Sequence, residues 1–379
     1  MRILHISNNY TPYSGGVVSS LNVTIPYLRA QGWITKLVTL DFQGIPEKDP
    51  EWVQRLYCPV KIRYQRRPLA YPWRPYKQLE RIIQTFYPHI VHVHHPFFLG
   101  AVGEKVAWWY HIPVVFTYHT WYHAYSHYIP LPNQITVPLI NYRVRSFCKR
   151  AAHIIAPSNA VKNHIASSGI DTPTTVIPSA IQNHFISDWA NPRKASSTFK
   201  LIVVGRFALE KNLPVLLEML LLLPEHITLT FVGYGDQYYT LARLAYRTYK
   251  FTEQRVMFVL QPEREALIKL YKQADLFVFT SVSDTQALVL AEAMAAGCPV
   301  VALDGPGQQD IVINGYNGYL VKTIREMSEC IAMIDRDRML HQQLCTNAWQ
   351  KGCQYHINEV GVKLLRCYED IASKSTISR

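Results

Sequence analysis

Ser283-Asp-Thr-Gln-Ala-Leu-Val-Leu-Ala-Glu-Ala-Met-Ala-Ala-Gly-Cys-Pro-Val-Val301 reads as a loop, a helix, a stop and the start of a buried strand. The helix runs from Leu288 to Ala296 and is apolar apart from Glu292; Gly297 ends it, and Pro299 opens the strand Val300 to Leu303. A helix tied so closely to a buried strand is one beat of an α/β rhythm, and the same rhythm extends upstream. Strand-length runs at Leu201–Val204, Leu229–Val232, Val256–Leu260 and Leu276–Thr280 alternate with a glycine turn at Gly233 and Gly235 and with helical patterns at Leu213–Leu223 and Glu263–Gln273.

Residues 183–199 interrupt this order, and Trp189-Ala-Asn-Pro-Arg-Lys-Ala-Ser-Ser-Thr198 is polar and aperiodic, as interdomain linkers are. The alternation also fills the first half of the chain: Ile3–Ile6, an amphipathic run Val17–Gln31, then strands at Thr35–Thr39, Ile90–Val93, Val114–Thr117 and His153–Ala156. The expected fold is α/β, two tandem Rossmann-like doubly wound parallel sheets. The expected domains are residues 1–190 and 191–356, with a C-terminal helix of about 357–379 packing back on the first. In such sheets ligands gather at the carboxyl ends of the strands, where loops and helix N-termini converge.

Composition fits a globular protein: 379 residues, 49% hydrophobic and 17% charged. The 39 basic and 27 acidic side chains give a net charge of +12. Residues 1–190 hold 18 of the basic and 8 of the acidic ones, so the basic character belongs to the first half. Its densest stretch, Lys61 to Lys77, mixes cations with Tyr64, Tyr71, Trp73 and Tyr76. That mixture reads either as a solvated loop or as a surface that meets phosphates beside an apolar phase. Seven irregularly spaced cysteines without a Cys-x-x-Cys favour a reducing compartment over a disulfide framework. No apolar run approaches the ~20 residues that span a bilayer, so any membrane contact is expected to be peripheral.

Three places invite chemistry. Gly15 and Gly16, between the first strand and helix, let backbone approach a phosphate. Arg206 and Lys211 lie past a strand and ahead of a helix, where cations oppose the helix dipole unless an anion sits between them; a diphosphate is the expected anion. Asp284 and Glu292 are eight residues apart, one in a loop and one expected two turns inside the helix, placed to hold a sugar hydroxyl and a ribose. The amides of residues 286 to 288 suit a diphosphate. No complete G-x-G-x-x-G or Walker sequence supports a nicotinamide or ATP site.

Taken in order, these pieces resemble retaining glycosyltransferases of family 4 with the GT-B fold. Ala156-Pro-Ser-Asn159, Val176-Ile-Pro-Ser179, Gly205-Arg206 with Glu210-Lys-Asn212, and Asn314-Gly-Tyr-Asn-Gly318 carry the resemblance together with the acid-x7-acid helix. It implies that Arg206 and Lys211 hold the donor diphosphate, Glu292 the ribose, and Asp284 the transferred sugar. Val259 and Leu260 meet the base, and Gln286, Ala287 and Leu288 line the donor site. His119, in Phe116-Thr-Tyr-His-Thr120, matches the family histidine beside the donor sugar. Two departures stand out, Asp284 where the family usually has Glu and Ala287 where it usually has Gly. Gln286, with Thr117 to Pro130, resembles members that glucosylate diacylglycerol.

The implied donor is a nucleotide sugar, with UDP-glucose favoured, and no cofactor is needed. The implied partners are a lipid acceptor and an anionic membrane surface, with the protein peripheral on the cytosolic face. Nucleic acid is not among them, because no nucleic-acid motif occurs. A soluble transferase acting on a polysaccharide or small molecule has the same donor site and remains open. So does a noncatalytic binding protein. No metal is assigned: His119, His123 and His127 lack the glutamate of a metalloprotease helix, and His92, His94 and His95 read as hydrogen-bonded polar residues. Asp335-Arg-Asp337 lies away from the cleft motifs. In a metal-free site the departing diphosphate must be neutralised by protein donors, and retention without a protein nucleophile fits front-side attack.

Overall fold

The apolar runs become strands because each is flanked by helices that cover it on both faces, as the computed structural model shows. The structure describes residues 1–13, 15–42, 48–64, 67–122, 126, 131–186 and 197–377. His123, His127 and most of the expected linker lie outside these. The chain divides into two compact units, Met1–Ala180 with Ile357–Arg379, and Ile181–His356.

In unit 1 the strands are β1 (Arg2–Ile6), β2 (Ile34–Leu40), β3 (Val53–Leu56), β4 (Val60–Tyr64), β5 (Arg67–Tyr71), β6 (Ile90–Val93), β7 (Val114–Thr117), β8 (His153–Ala156) and β9 (Thr174–Val176). All but β4 and β5 form one parallel sheet in the order β3-β2-β1-β6-β7-β8-β9. Its order reverses between β1 and β6, the switch point where such sheets open a ligand crevice. Helices α1 (Gly16–Ala30), α2 (Pro75–Phe86), α3 (Leu99–Trp109), α4 (Asn133–Arg150) and α5 (Asn159–Ser167) complete the crossovers. The Lys61 to Lys77 stretch is largely the antiparallel pair β4–β5, with Ile62 opposite Leu69, followed by the start of α2.

Unit 2 repeats the plan with β10 (Phe199–Arg206), β11 (Ile227–Tyr234), β12 (Val256–Leu260), β13 (Leu276–Phe279), β14 (Val300–Leu303) and β15 (Gly318–Val321). The parallel order is β12-β11-β10-β13-β14-β15, reversing between β10 and β13. Helices α6 (Pro214–Leu221), α7 (Tyr238–Arg243), α8 (Arg264–Gln273), α9 (Leu288–Ala295), α10 (Ile324–Arg336) and α11 (Arg338–Cys353) surround it. The α9 helix stops where Gly297 adopts φ 76° and its N–H bonds the Met294 carbonyl at 2.8 Å.

The last helix, α12 (Ile357–Ile377), belongs to unit 1. Ile357, Val360, Leu364, Cys367, Tyr368 and Ile371 recur at three- and four-residue steps and are buried with Ile3, Leu28, Ile90 and Val115. Among the described residues no helix is long and apolar enough to cross a membrane.

Candidate active site

The carboxyl edge of the unit 2 sheet gathers most of the expected site residues. Arg206 is the last residue of β10; Lys211 ends a 3-10 turn, Leu209–Lys211, that follows it; Asp284 lies beyond β13. Lys211 Nζ donates to both carboxylate oxygens of Asp284, at 2.7 and 2.8 Å, and sits 5.9 Å from the centre of the Phe279 ring. Arg206 is ion-paired with Glu210, whose side chain is only 5% exposed. The sequence argument expected a ligand anion to balance these cations. In the structure each already has a protein carboxylate, which answers the dipole objection without a ligand.

Side-chain hydroxyls brace this turn. Thr280 Oγ1 donates to the Lys211 carbonyl at 2.8 Å, and Ser281 Oγ to the Glu210 carbonyl at 3.2 Å. Thr280 and Ser281 were missed at the sequence level because their role is to hold the backbone of residues 210 and 211, which no motif spacing encodes; Glu210 was noted there only as part of a motif, without its pairing to Arg206. A shallow recess beside Lys211 is lined by Gly205, Phe279 and Thr280.

Helix α9 begins at Leu288, so Glu292 is its fifth residue, little more than one turn inside rather than two. Tyr271, fully buried on α8, donates its hydroxyl to Glu292 Oε2 at 3.2 Å. Burial pushes the Glu292 carboxyl up to about 7, and the Tyr271 hydrogen bond only partly offsets this. The sign follows directly. A carboxyl whose folded pKa exceeds its ordinary value contributes stability with its proton on and loses it as pH rises from about 4.5 to about 7. Glu292→Gln is therefore expected to be more stable than the parent above pH 7, by on the order of 2 kcal/mol, with the difference vanishing near pH 4.5. Urea melts at several pH values measure this, and a pH-independent difference would refute it.

Ala287, the residue before α9, is buried and adopts φ 53°, ψ 57°, a left-handed conformation in which glycine is the usual occupant. Relieving that conformation with glycine is worth ~1–2 kcal/mol. Losing a buried methyl costs ~0.8 kcal/mol, and the freer unfolded chain of glycine ~0.5–1 kcal/mol. These nearly cancel, which explains how alanine is accommodated here. Ala287→Gly is expected to move the denaturation free energy by less than about 1 kcal/mol. Gln286 is buried beside it. Val259 and Leu260 end β12, two strands from β10 at the same carboxyl edge, with Leu260 exposed.

A further support was not anticipated from sequence. After β14, Gly305-Pro-Gly-Gln308 runs beneath the Asp284 loop: Gln308 Nε2 donates to the Ser281 carbonyl at 2.5 Å and the Leu303 carbonyl at 3.1 Å. A Cβ built on Gly307 falls 2.4 Å from the Asp284 carbonyl oxygen. The signal was two glycines directly after a buried strand. Asp335 and Asp337 have other partners: Asp335 pairs with His226 at 2.8 Å, just before β11, and Asp337 caps α11. They lie at the opposite, amino end of this sheet.

In unit 1, Gly15 is the N-cap of α1, and a Cβ on either Gly15 or Gly16 would meet open space. His119 follows β7, and His94 and His95 follow β6, again at the carboxyl edge. His94 and His92 each have both ring nitrogens hydrogen-bonded. His95 differs from the expectation, because its buried Nδ1 has no partner among the described residues. His5, His92 and His94 hold nitrogens within 4.8 Å of one another, but a metal there would have to displace bonds that His92 and His94 already make.

Residues 14–183 match the family described as Glycosyltransferase Family 4, and residues 188–350 match Glycosyl transferases group 1. The alpha-monoglucosyldiacylglycerol synthase of Streptococcus pneumoniae is 26% identical over 337 residues, 84% of this chain and 75% of that one. A GDP-mannose-dependent alpha-mannosyltransferase of Corynebacterium glutamicum is 24% identical over 394 residues, 99% of this chain and 90% of that one. The crystal structure of Anabaena HepE in complex with UDP and glucose superposes with a TM-score of 0.75 at 18% identity, covering 98% of this chain and 100% of that one. With matches on both sides of residues 184–187 and two switch-point sheets of the order just described, the chain belongs to glycosyltransferase family 4 and has the GT-B fold.

Proposed function

We propose that this glycosyltransferase moves glucose from UDP-glucose to a membrane lipid such as diacylglycerol, with retention and without a metal ion, on the cytosolic face of a membrane. The cluster of Lys211, Asp284, Arg206 and Glu210 at the switch point of unit 2 carries the reading. A diphosphate arriving at Lys211 competes with Asp284 for the ammonium, and the released carboxylate then accepts from a hydroxyl of the transferred sugar. Arg206 and Lys211 stabilise the charge that builds as the diphosphate leaves, with the amides of residues 286 to 288 as further donors. Glu292 accepts from the ribose and Val259 and Leu260 contact the base, while the family resemblance assigns Gly15, Gly16 and His119 to the donor as well. The acceptor hydroxyl attacks from the leaving-group side and passes its proton to the departing phosphate.

The surface of unit 1 supports the lipid acceptor. Trp73, Tyr71, Tyr76, Phe98, Trp108 and Trp109 are exposed, Trp108 by 72%. Lys105 lies over both Tyr76 and Trp109, and Arg74 over Trp73. Rings and cations so interleaved suit the headgroup level of an anionic bilayer. On α4, Ile135, Leu139 and Tyr142 form an exposed stripe next to Arg143. The names of the pneumococcal synthase and the UDP-bound Anabaena structure favour a glucolipid and UDP; the Corynebacterium relative favours mannose from GDP-mannose as a second reading.

The test is a screen of radiolabelled UDP-glucose and GDP-mannose against diacylglycerol, glycolipid and water, with and without anionic vesicles and with chelator throughout. Label from UDP-glucose in lipid, increased by anionic vesicles, is the expected result. Label only from GDP-mannose overturns the donor, and transfer only to a soluble acceptor, indifferent to vesicles, overturns the lipid.

A further inference from the structure

Behind His119 lies a row of buried imidazoles that the transfer reaction as described does not use. His119 Nε2 is 2.9 Å from His94 Nδ1, and His94 Nε2 is 3.1 Å from His5 Nδ1. His5 and His94 are buried, and the row ends at His5 Nε2, which is enclosed without a hydrogen-bond partner among the described residues. A fourth ring, His92, lies 4.3 Å from His94 at a tilt of 32° but takes no proton from the row, because Tyr368 of α12 and Thr117 of β7 occupy its two nitrogens.

Burial lowers the pKa of His5 and of His119 to about 3, and that of His94 well below its ordinary value, so all three rings are neutral at physiological pH. A neutral imidazole has one donor and one acceptor, so each of the two contacts holds one proton and the row has only two arrangements. In one, His119 donates from Nε2 to His94, His94 donates to His5, and His5 is left with a buried N–H at Nε2 that bonds nothing. In the other, His5 Nδ1–H donates to His94 and His94 Nδ1–H donates to His119 Nε2, leaving only an unused lone pair at the closed end. A buried N–H without an acceptor is the costlier fault.

We propose that His5 and His94 are positioning residues that lock His119 in the Nδ1–H tautomer, with Nε2 accepting from His94. His119 then faces its surroundings with a hydrogen-bond donor at Nδ1. That this donor meets a hydroxyl or ring oxygen of the donor hexose rests on the function proposed above; the tautomer does not. The tautomer of an isolated neutral imidazole is free to exchange, and here the direction is set at the dead end of the row, two rings away from the ligand side.

The test is a long-range 15N–1H spectrum of the full-length chain labelled at histidine, recorded without donor or acceptor, with His119 assigned by loss of its signals in His119→Gln. A pyrrole-like Nδ1 and a pyridine-like Nε2 at His119 are expected. His94→Asn keeps an amide N–H near the position of Nδ1 and should retain that pattern, whereas His94→Leu should shift the His119 Nε2 resonance toward the protonated position. If His94→Leu does not fold, His5→Leu removes the donor that directs the row and should move the same resonance. A parent spectrum with the proton on Nε2, a doubly protonated His119, a His119 signal unmoved in a folded leucine variant, or one equivalent of bound metal at His5 and His94 would each overturn the proposal. The spectrum is read without turnover, so absence of transfer to lipid would leave it standing, and its failure would leave the transferase reading standing.

Discussion

Lys211→Ala is expected to lower kcat/KM for sugar transfer about a thousandfold, the scale of removing one preorganised donor from a developing anion. Its ammonium bonds both oxygens of Asp284, so on the proposed roles its loss removes a diphosphate donor and frees the carboxylate proposed to bind the sugar. Stability should barely change: the side chains of Lys211 and Asp284 are 18% and 21% exposed, and a partly solvated pair is worth at most about 1 kcal/mol. Arg206→Ala should impair transfer similarly but cost more stability, about 2–3 kcal/mol, because the Glu210 carboxylate it pairs with is almost wholly buried. Steady-state kinetics with thermal melts of both variants check this. Near-normal turnover in either would remove that residue from the site, and equal stability losses would contradict the burial argument.

Gly307→Ala is the second substitution with a large expected effect, although residue 307 bears no reactive group. Its new methyl would lie 2.4 Å from the Asp284 carbonyl oxygen and 3.0 Å from the Gln286 nitrogen, and both are backbone atoms that cannot rotate aside. The loop must shift by about 1 Å to relieve the overlap, and a misplacement of that size costs about a hundredfold in rate. The overpacking itself should cost about 1–3 kcal/mol. Gly315→Ala is the control: it meets no atom within 4 Å but forces alanine into φ 73°, so it should lose stability by ~1–2 kcal/mol and keep full activity. Equal activity of the two variants would show that the Gly305 to Gln308 turn does not hold the site.

The strands were readable because a parallel strand covered on both faces must be apolar throughout, as the run Leu276–Phe279 is. The same reasoning passes over β9, whose Thr174–Val176 is a half-exposed edge, and over β4–β5, whose alternating Lys, Ile and Arg read as a basic surface stretch. Arg206, Lys211, Asp284 and Glu292 could be singled out because charge beside a strand end or inside an apolar helix is locally anomalous. Gly307 could not, and Glu210 was legible only as a motif letter, since their importance lies in what they touch across 23 and 4 residues of sequence respectively.

By itself, then, the sequence determined the α/β alternation, the restart that makes two sheets, and the strand ends at which chemistry would collect, all of them consequences of local periodicity and hydrophobic burial. The return of a C-terminal helix to the first domain was also expected, but only the tertiary structure decided which charges neutralise one another, and that Tyr368 of α12 reaches His92. It also decided the row from His5 through His94 to His119, drawn from three separate strand ends. Contacts of this kind depend on the order of strands in the sheet. β1 lies beside β6 and β6 beside β7 only after the chain has crossed over and back, so the spacing of these histidines in the sequence carries no trace of their spacing in the fold.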